Sequence, residues 1–214
     1  MDTPRPTVVV FDLGGVLVDW NPRYLYRALF DGDEAAMERF LAEICTPAWN
    51  DEQDRGRPWD EACALLVRDH PDKRALIEAW PSRFDETMAG PIPGTVEILA
   101  ELRARDVPLY ALSNWSAETF PRAQARFPFL GWFRGIVISG ALRMAKPDPA
   151  MYRYLLDTYR LRAEDTVFID DAPRNVDAAA SLGMHAVRFT DAAALRARLV
   201  DLGLLAPGAP SPTI

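Results

Sequence analysis

Five short runs of consecutive apolar residues punctuate the chain: Val8–Phe11, Val107–Leu112, Gly135–Ile138, Thr166–Ile169 and His185–Phe189. Hydrophobicity along them is continuous rather than alternating. That pattern predicts strands buried on both faces, as in a parallel sheet. Between most of them the apolar positions recur at helical spacing. Val96, Leu99 and Leu102 form one stripe of a helix expected over Thr95–Arg105. Asp148 as N-cap and Pro149 at the first helical position announce a helix over Pro149–Tyr159. Another, over Pro173–Leu182, stops at Gly183, and a last one covers Ala192–Leu202. Strands alternating with helices predict an α/β fold: a Rossmann-like parallel sheet core flanked by helices.

Residues 19–88 break this rhythm. They show no strand pattern and read instead as helices over Arg23–Phe30, Glu34–Ile44, Trp59–Arg68 and Lys73–Phe84. Four of the six tryptophans fall here: Trp20, Trp49, Trp59 and Trp80. The segment is expected to be an all-helical cap inserted after the first strand. Gly90-Pro91-Ile92-Pro93-Gly94 is the return hinge. The expected division is therefore 1–18 and 89–206 for the α/β core, 19–88 for the cap, and 207–214 for a flexible, proline-rich tail.

Composition narrows the partners. A net charge of −7 on 214 residues argues against a nucleic-acid surface, while a small anionic substrate needs only local positive groups. Cys45 and Cys63 are too few for a disulfide framework and have no metal-ligand spacing, which points to a reducing compartment. His70 and His185 lie far apart and are expected to be structural. Neither a signal pattern in Met1–Pro6 nor a membrane-spanning run is visible, so the expected location is the cytoplasm, as a monomer or homodimer with no membrane partner. Only two of the 24 basic residues are lysines, Lys73 and Lys146. In a chain that uses arginine almost everywhere, a lysine marks a place for a compact ammonium. Lys73 sits in a polar stretch, whereas Lys146 stands between Ala145 and Pro147.

Four of the apolar runs deliver polar groups just beyond their carboxyl ends. The first delivers Asp12 ahead of Leu13-Gly14-Gly15, and the second delivers Ser113-Asn114. The third leads through Ser139-Gly140 to Lys146, and the fourth ends in Asp170-Asp171. In a parallel sheet these ends share one edge, where open α/β folds bind ligands. Each group also has a local explanation as a turn, a cap or a surface charge; their convergence on one edge is what points to a site.

The motifs Phe11-Asp12-Leu13-Gly14-Gly15-Val16, Leu112-Ser113-Asn114, Lys146-Pro147-Asp148-Pro149 and Phe168-Ile169-Asp170-Asp171-Ala172 resemble, in order and spacing, those of the haloacid dehalogenase superfamily of hydrolases. The insertion point matches that family's helical cap. The resemblance implies that Asp12 is a nucleophile forming an aspartyl intermediate. It implies Mg²⁺ held by the Asp12 carboxylate, the Gly14 carbonyl and Asp171, with Asp170 as a further ligand or the holder of a metal-bound water. Ser113 and Lys146 would bind the transferred phosphoryl group, with Asn114, Gly15 and Trp115 beside it. The implied substrate is a small phosphorylated metabolite, for example a sugar phosphate.

One position departs from the phosphatase pattern. Two residues after the nucleophile, where those enzymes carry a general-acid aspartate, this chain has Gly14. Such an acid contributes about 10²–10⁴-fold in rate, or about 3–5 kcal/mol of barrier. Asp19 is one candidate substitute, set against its simpler reading as a polar residue opening the insertion. Three readings stay open: a Mg²⁺-dependent phosphatase, a metal-free 2-haloacid dehalogenase, and a non-catalytic phospho-ligand or partner-binding protein. The acidic pair Asp170-Asp171 favours the first. Trp49, Trp59 and Trp80 are expected in the cap core, and Arg143 and Arg174 as exposed charges. The insertion is expected to act as a lid that brings Trp20 toward the Asp12 edge.

Overall fold

The structure is a computed structural model in which residues 5–207 are described. Of the expected tail, residues 208–214 lie outside the described part. The first strand, β1 (Val8–Phe11), leads through the glycine turn into β2 (Val18–Trp20). Five helices follow: α1 (Arg23–Leu29), α2 (Glu34–Glu43), α3 (Pro47–Asp54), α4 (Trp59–Asp69) and α5 (Arg74–Ser82). The chain returns through β3 (Met88–Pro91). It then alternates through α6 (Pro93–Ala104), β4 (Leu109–Ser113), α7 (Phe120–Arg126), β5 (Gly135–Ile138), α8 (Ser139–Leu142) and α9 (Pro149–Tyr159). The last elements are β6 (Thr166–Asp170), α10 (Pro173–Ser181), β7 (His185–Arg188) and α11 (Ala192–Asp201).

Five strands form one sheet in the order β5-β4-β1-β6-β7, every neighbouring pair parallel. The chain builds outward from β1 on one side, then crosses to β6 on the other. The carboxyl ends of β1, β4 and β6 therefore meet at a topological switch point, the usual place for a ligand crevice. Alternation along β1 explains its unbroken hydrophobicity. Val9 and Phe11 enter one core with Leu99, Leu102 and Leu199, while Val8 and Val10 enter another with Met151, Tyr152 and Phe168. Both faces are covered, so no position in the strand tolerates water.

The expected α/β sandwich is present, with its strands within two residues of the expected bounds. The insertion differs from expectation in two ways. Its neck is a short antiparallel ribbon, with Val18 opposite Pro91 and Asp19 opposite Gly90, so the region is not wholly helical. It also contains α3, for which no helix was expected. Thr46 and Pro47 mark its start: the Thr46 hydroxyl accepts the Trp49 N–H at 3.0 Å, with Pro47 in the first turn. The helix is short and polar, and it lacks the apolar stripe that reveals a helix in sequence. Trp49, Trp59 and Trp80 pack on one another with ring centroids 5.4–6.4 Å apart, as expected of a small core. Among the described residues no helix is long and apolar enough to cross a membrane.

Candidate active site

Asp12 follows β1 directly, and its own N–H still bonds the Ile169 carbonyl of β6 at 2.8 Å. The turn that follows is tight: the Val18 N–H returns to Leu13 O at 2.8 Å, and the Gly15 N–H to Val18 O at 2.9 Å. The side chain is therefore held at the sheet edge. Its Oδ1 accepts the Leu13 N–H at 2.7 Å and the Ser113 hydroxyl at 2.8 Å. Its Oδ2 lies 2.9 Å from the Lys146 ammonium.

Lys146 is the centre of this arrangement. It is 1% exposed, and Nζ lies 2.6 Å from Asp170 Oδ2 as well. Asp170 is fully buried, and its oxygens also accept the Ala172 N–H and the Asn175 amide at 2.9–3.1 Å. With both oxygens filled in this way, Asp170 acts as the anchor of Lys146. Asn114 anchors the same lysine through its backbone, donating to the Lys146 carbonyl at 3.0 Å and accepting its N–H at 2.8 Å. The ammonium is thus held by two carboxylates and the lysine backbone by an amide.

Electrostatics follow from burial. Burial pushes the Asp12 carboxyl up, to about 7, opposed by Lys146 and reinforced by Asp170. Burial pulls Lys146 down, but Asp12 and Asp170 outweigh it and hold the ammonium above its ordinary value. Asp171 is also raised, by partial burial and then by Asp170. Asp12, Asp170 and Asp171 each offer an oxygen within 4.8 Å of the others. Three carboxylates sharing one ammonium leave uncompensated negative charge, and an all-oxygen donor set of this size suits a hard divalent cation. Gly15 is what allows Asp171 to come so close. Its φ is +74°, and a Cβ there would lie 2.7 Å from Asp171 Oδ2.

Asp12, Gly15, Lys146 and Asp171 line one cavity of about 370 Å³, with Gly14, Ser113 and Trp115 in its wall. Trp115 is buried between Phe84 and Phe120. The insertion closes the opposite side with Trp20, Asn50, Asp51, Asp54 and Phe84. Trp20 thus lines the same cavity as Asp12. A second cavity of about 450 Å³ shares Trp20, Asn50, Asp51 and Asp54 with the first. It continues between Leu41, Cys45, Pro47 and Trp80.

The simpler readings of Asp19 and Arg174 hold. Asp19 does not reach the site: its carboxylate accepts the Tyr24 hydroxyl at 2.9–3.0 Å, and it is not part of the cavity wall. Arg174, expected as an exposed charge, is largely exposed; it also lines the cavity and lies 4.0 Å from Asp51. Sequence reasoning missed Asn50, Asp51, Asp54 and Asn175. The first three arrive on the unrecognised α3, whose Thr46-Pro47 start was a usable signal. Asn175 was legible only as the third residue of a helix starting beside Asp170-Asp171.

The chain matches the family of haloacid dehalogenase-like hydrolases over residues 6–183. It belongs to that family. It is 27% identical over 185 residues to the sesquiterpene phosphatase astK of Aspergillus oryzae, covering 86% of this chain and 90% of that one. It is 26% identical over 231 residues to the phosphoglycolate phosphatase of Pseudomonas putida, covering 97% and 81%. In structure it is similar to a haloacid dehalogenase family enzyme of Bacteroides thetaiotaomicron, crystallised with magnesium and inorganic phosphate. The TM-score is 0.67 at 21% identity, over 87% of this chain and 95% of that chain. L-2-haloacid dehalogenase from Xanthobacter autotrophicus shares the fold at a TM-score of 0.62 and 19% identity, over 97% and 85%.

Proposed function

We propose that this hydrolase is a Mg²⁺-dependent phosphatase of a small phosphorylated metabolite, acting through an aspartyl-phosphate intermediate. The observation that carries the reading is the acidic trio, with carboxylate oxygens within 4.8 Å of one another, in which Asp12 and Asp171 supply the donors and Asp170 adds charge beside them. A phosphate dianion cannot approach Asp12 through that field unaided. Displacement at the carbon of a haloacid needs no such cluster. Asp12, the Gly14 carbonyl and Asp171 would hold the ion, and Asp170 stays with Lys146. A bound Mg²⁺ would neutralise the carboxylates and polarise the phosphoryl oxygens.

The remaining work falls to the chain itself. Asp12 attacks phosphorus, oriented by the Leu13 N–H and the Ser113 hydroxyl. Lys146 faces the developing charge on the phosphoryl oxygens from a position its anchors keep constant, so little reorganisation is needed in the transition state. The alcohol part of the ester enters the second cavity. Its partly apolar wall of Leu41, Cys45, Pro47 and Trp80 suits an organic group with hydrocarbon surface better than a bare sugar. The sesquiterpene phosphatase relative supports the same choice.

The test is hydrolysis of an aryl phosphate with Mg²⁺. Activity lost on chelation and in Asp12→Asn supports the reading. Halide release from a 2-haloacid that resists chelation establishes the dehalogenase instead. Phosphate binding without either turnover establishes a binding protein.

A further inference from the structure

The missing acid at Gly14 leaves the leaving-group oxygen without an assigned proton donor, and the cavity holds two carboxyls that the mechanism above does not use: Asp51, half exposed and 4.0 Å from Arg174, and Asp54. Asp54, the last residue of α3, lines both the chamber that contains Asp12 and the partly apolar chamber behind it. A phosphate ester spanning the two chambers places its scissile P–O bond at their junction. Asp54 is one of the residues the two chambers share.

The structure holds Asp54 there firmly. The Ser139 hydroxyl, at the carboxyl end of β5, donates to the Asp54 carbonyl. Two residues on, Gly56 has a φ of +95°, and a Cβ there would lie 2.8 Å from the Gly140 carbonyl. The Trp59 indole N–H donates to the Ser116 hydroxyl at 3.1 Å, and the Trp59 backbone N–H to Glu118 at 3.1 Å. The loop after α3 is therefore locked to the loops after β4 and β5, and the carboxyl is presented from a rigid platform. Its Oδ2 accepts the Asn50 amide at 3.0 Å.

We propose, on the basis of the phosphatase reading, that Asp54 is the general acid-base of this enzyme, supplied by the insertion in place of the residue absent at Gly14. As Asp12 attacks phosphorus, the P–O bond to the alcohol breaks. The electron pair goes to the leaving oxygen, which takes the proton from the Asp54 carboxyl. The alcohol departs and Asp54 is left as a carboxylate. It then accepts a proton from the water that attacks the aspartyl phosphate. The bond between phosphorus and Asp12 breaks, phosphate leaves, and both side chains return to their starting forms.

The environment suits the role. Burial, and then Asp51, raise the Asp54 carboxyl to about 7, with Asp12 adding to the rise and the Ser116 N–H and Asn50 amide opposing it. The charged groups that share its chambers are Asp51 on its own helix, Asp12 and Lys146 from the sheet edge, Asp171 and Arg174 from the loop and helix after β6, and Arg23 and Glu38 from α1 and α2.

The experiment is a leaving-group series, from dinitrophenyl phosphate through phenyl phosphate to an alkyl phosphate, with wild type, Asp54→Asn, and Asp54→Asn combined with Gly14→Asp. A Cβ at position 14 meets nothing within 4 Å, so a side chain can start there without displacing a neighbour. Asp54→Asn should change kcat/KM for the most activated ester by no more than about threefold and lower it for the alkyl ester by about 10²–10³-fold. The wild-type fall in alkyl-ester turnover above about pH 7 should disappear in Asp54→Asn. The double variant should recover part of the alkyl-ester loss. A uniform loss across the series, or an unchanged slope, in a variant with wild-type circular dichroism overturns the role of Asp54 and leaves the phosphatase reading intact. Absence of turnover by the wild type on every ester overturns both.

Discussion

Lys146 is buried between two carboxylates that would each be costly to leave alone. Replacing one partner of a buried ion pair is destabilising by about 3–5 kcal/mol, because the remaining charge stays buried without compensation. Lys146→Met should therefore abolish activity and lower stability by roughly that amount in metal-free protein at about pH 8. The loss should shrink as pH falls. Burial already raises the folded-state Asp12 carboxyl from 3.8 to about 7, so the folded protein binds a proton there that the unfolded chain releases. Ionising that group as pH climbs from about 4 to about 7 costs folded-state stability, and protonation at the low end relieves it. Urea denaturation at about pH 5 and about pH 8 measures the difference. A larger loss at the acidic end would show that Asp12 is not the group left uncompensated. Lys146 was legible in sequence because lysine is so rare in this chain. Asn114 and Asp170 were legible as site residues, but their roles were not. That one clamps the lysine backbone and the other holds its ammonium depends on a loop path that periodicity does not encode.

At the scale of elements, legibility followed hydrophobic contrast. Strands β1 and β5 and helix α9 match their expected bounds, because continuous apolar runs or strong caps mark them. Helix α3 escaped because its residues are mostly polar, and its buried members Asn50 and Gln53 give no hydrophobic signal. Its place in the fold is fixed by tertiary contact instead. The Gly56–Gly140 approach and the Trp59–Ser116 hydrogen bond join its C-terminal loop to the sheet edge. Gly56→Ala forces a side chain into a left-handed backbone against a carbonyl and should destabilise by about 1–3 kcal/mol. Thr46→Ala removes the cap at the other end and should cost about 1 kcal/mol. The two variants differ in their second readout. Gly56→Ala should also slow hydrolysis of poorly activated esters, because it displaces the end of α3 that carries Asp54. Thr46→Ala should leave the dependence on leaving group unchanged. Equal kinetic effects in both would mean that α3 acts on the site only through general stability.

For the whole molecule, the decisive feature is that the insertion does not own a separate core. Leu25, Tyr26, Met37, Trp59 and Trp80 belong to the same contiguous cluster as Val9, Phe11, Leu99 and Ile169 from the sheet and its helices. The division into residues 19–88 and the rest, drawn from the break in sequence rhythm, therefore follows the chain path without marking an energetic boundary. A shared core predicts one cooperative transition. Four of the six tryptophans lie in the insertion, so their fluorescence reports that region. Far-ultraviolet circular dichroism reports all the helices and strands together. The two probes should give coincident thermal transitions in metal-free protein. Adding Mg²⁺ should shift both upward together, since a ligand that binds only the folded state at 100 times its dissociation constant stabilises by about 2.7 kcal/mol. Asp171→Asn removes a proposed donor from the exposed side of the site while leaving the Lys146 anchors in place, and it should cancel most of that shift. Fluorescence melting well ahead of circular dichroism would show that the insertion unfolds as its own unit, and the rigid platform assigned to Asp54 would then lose its foundation.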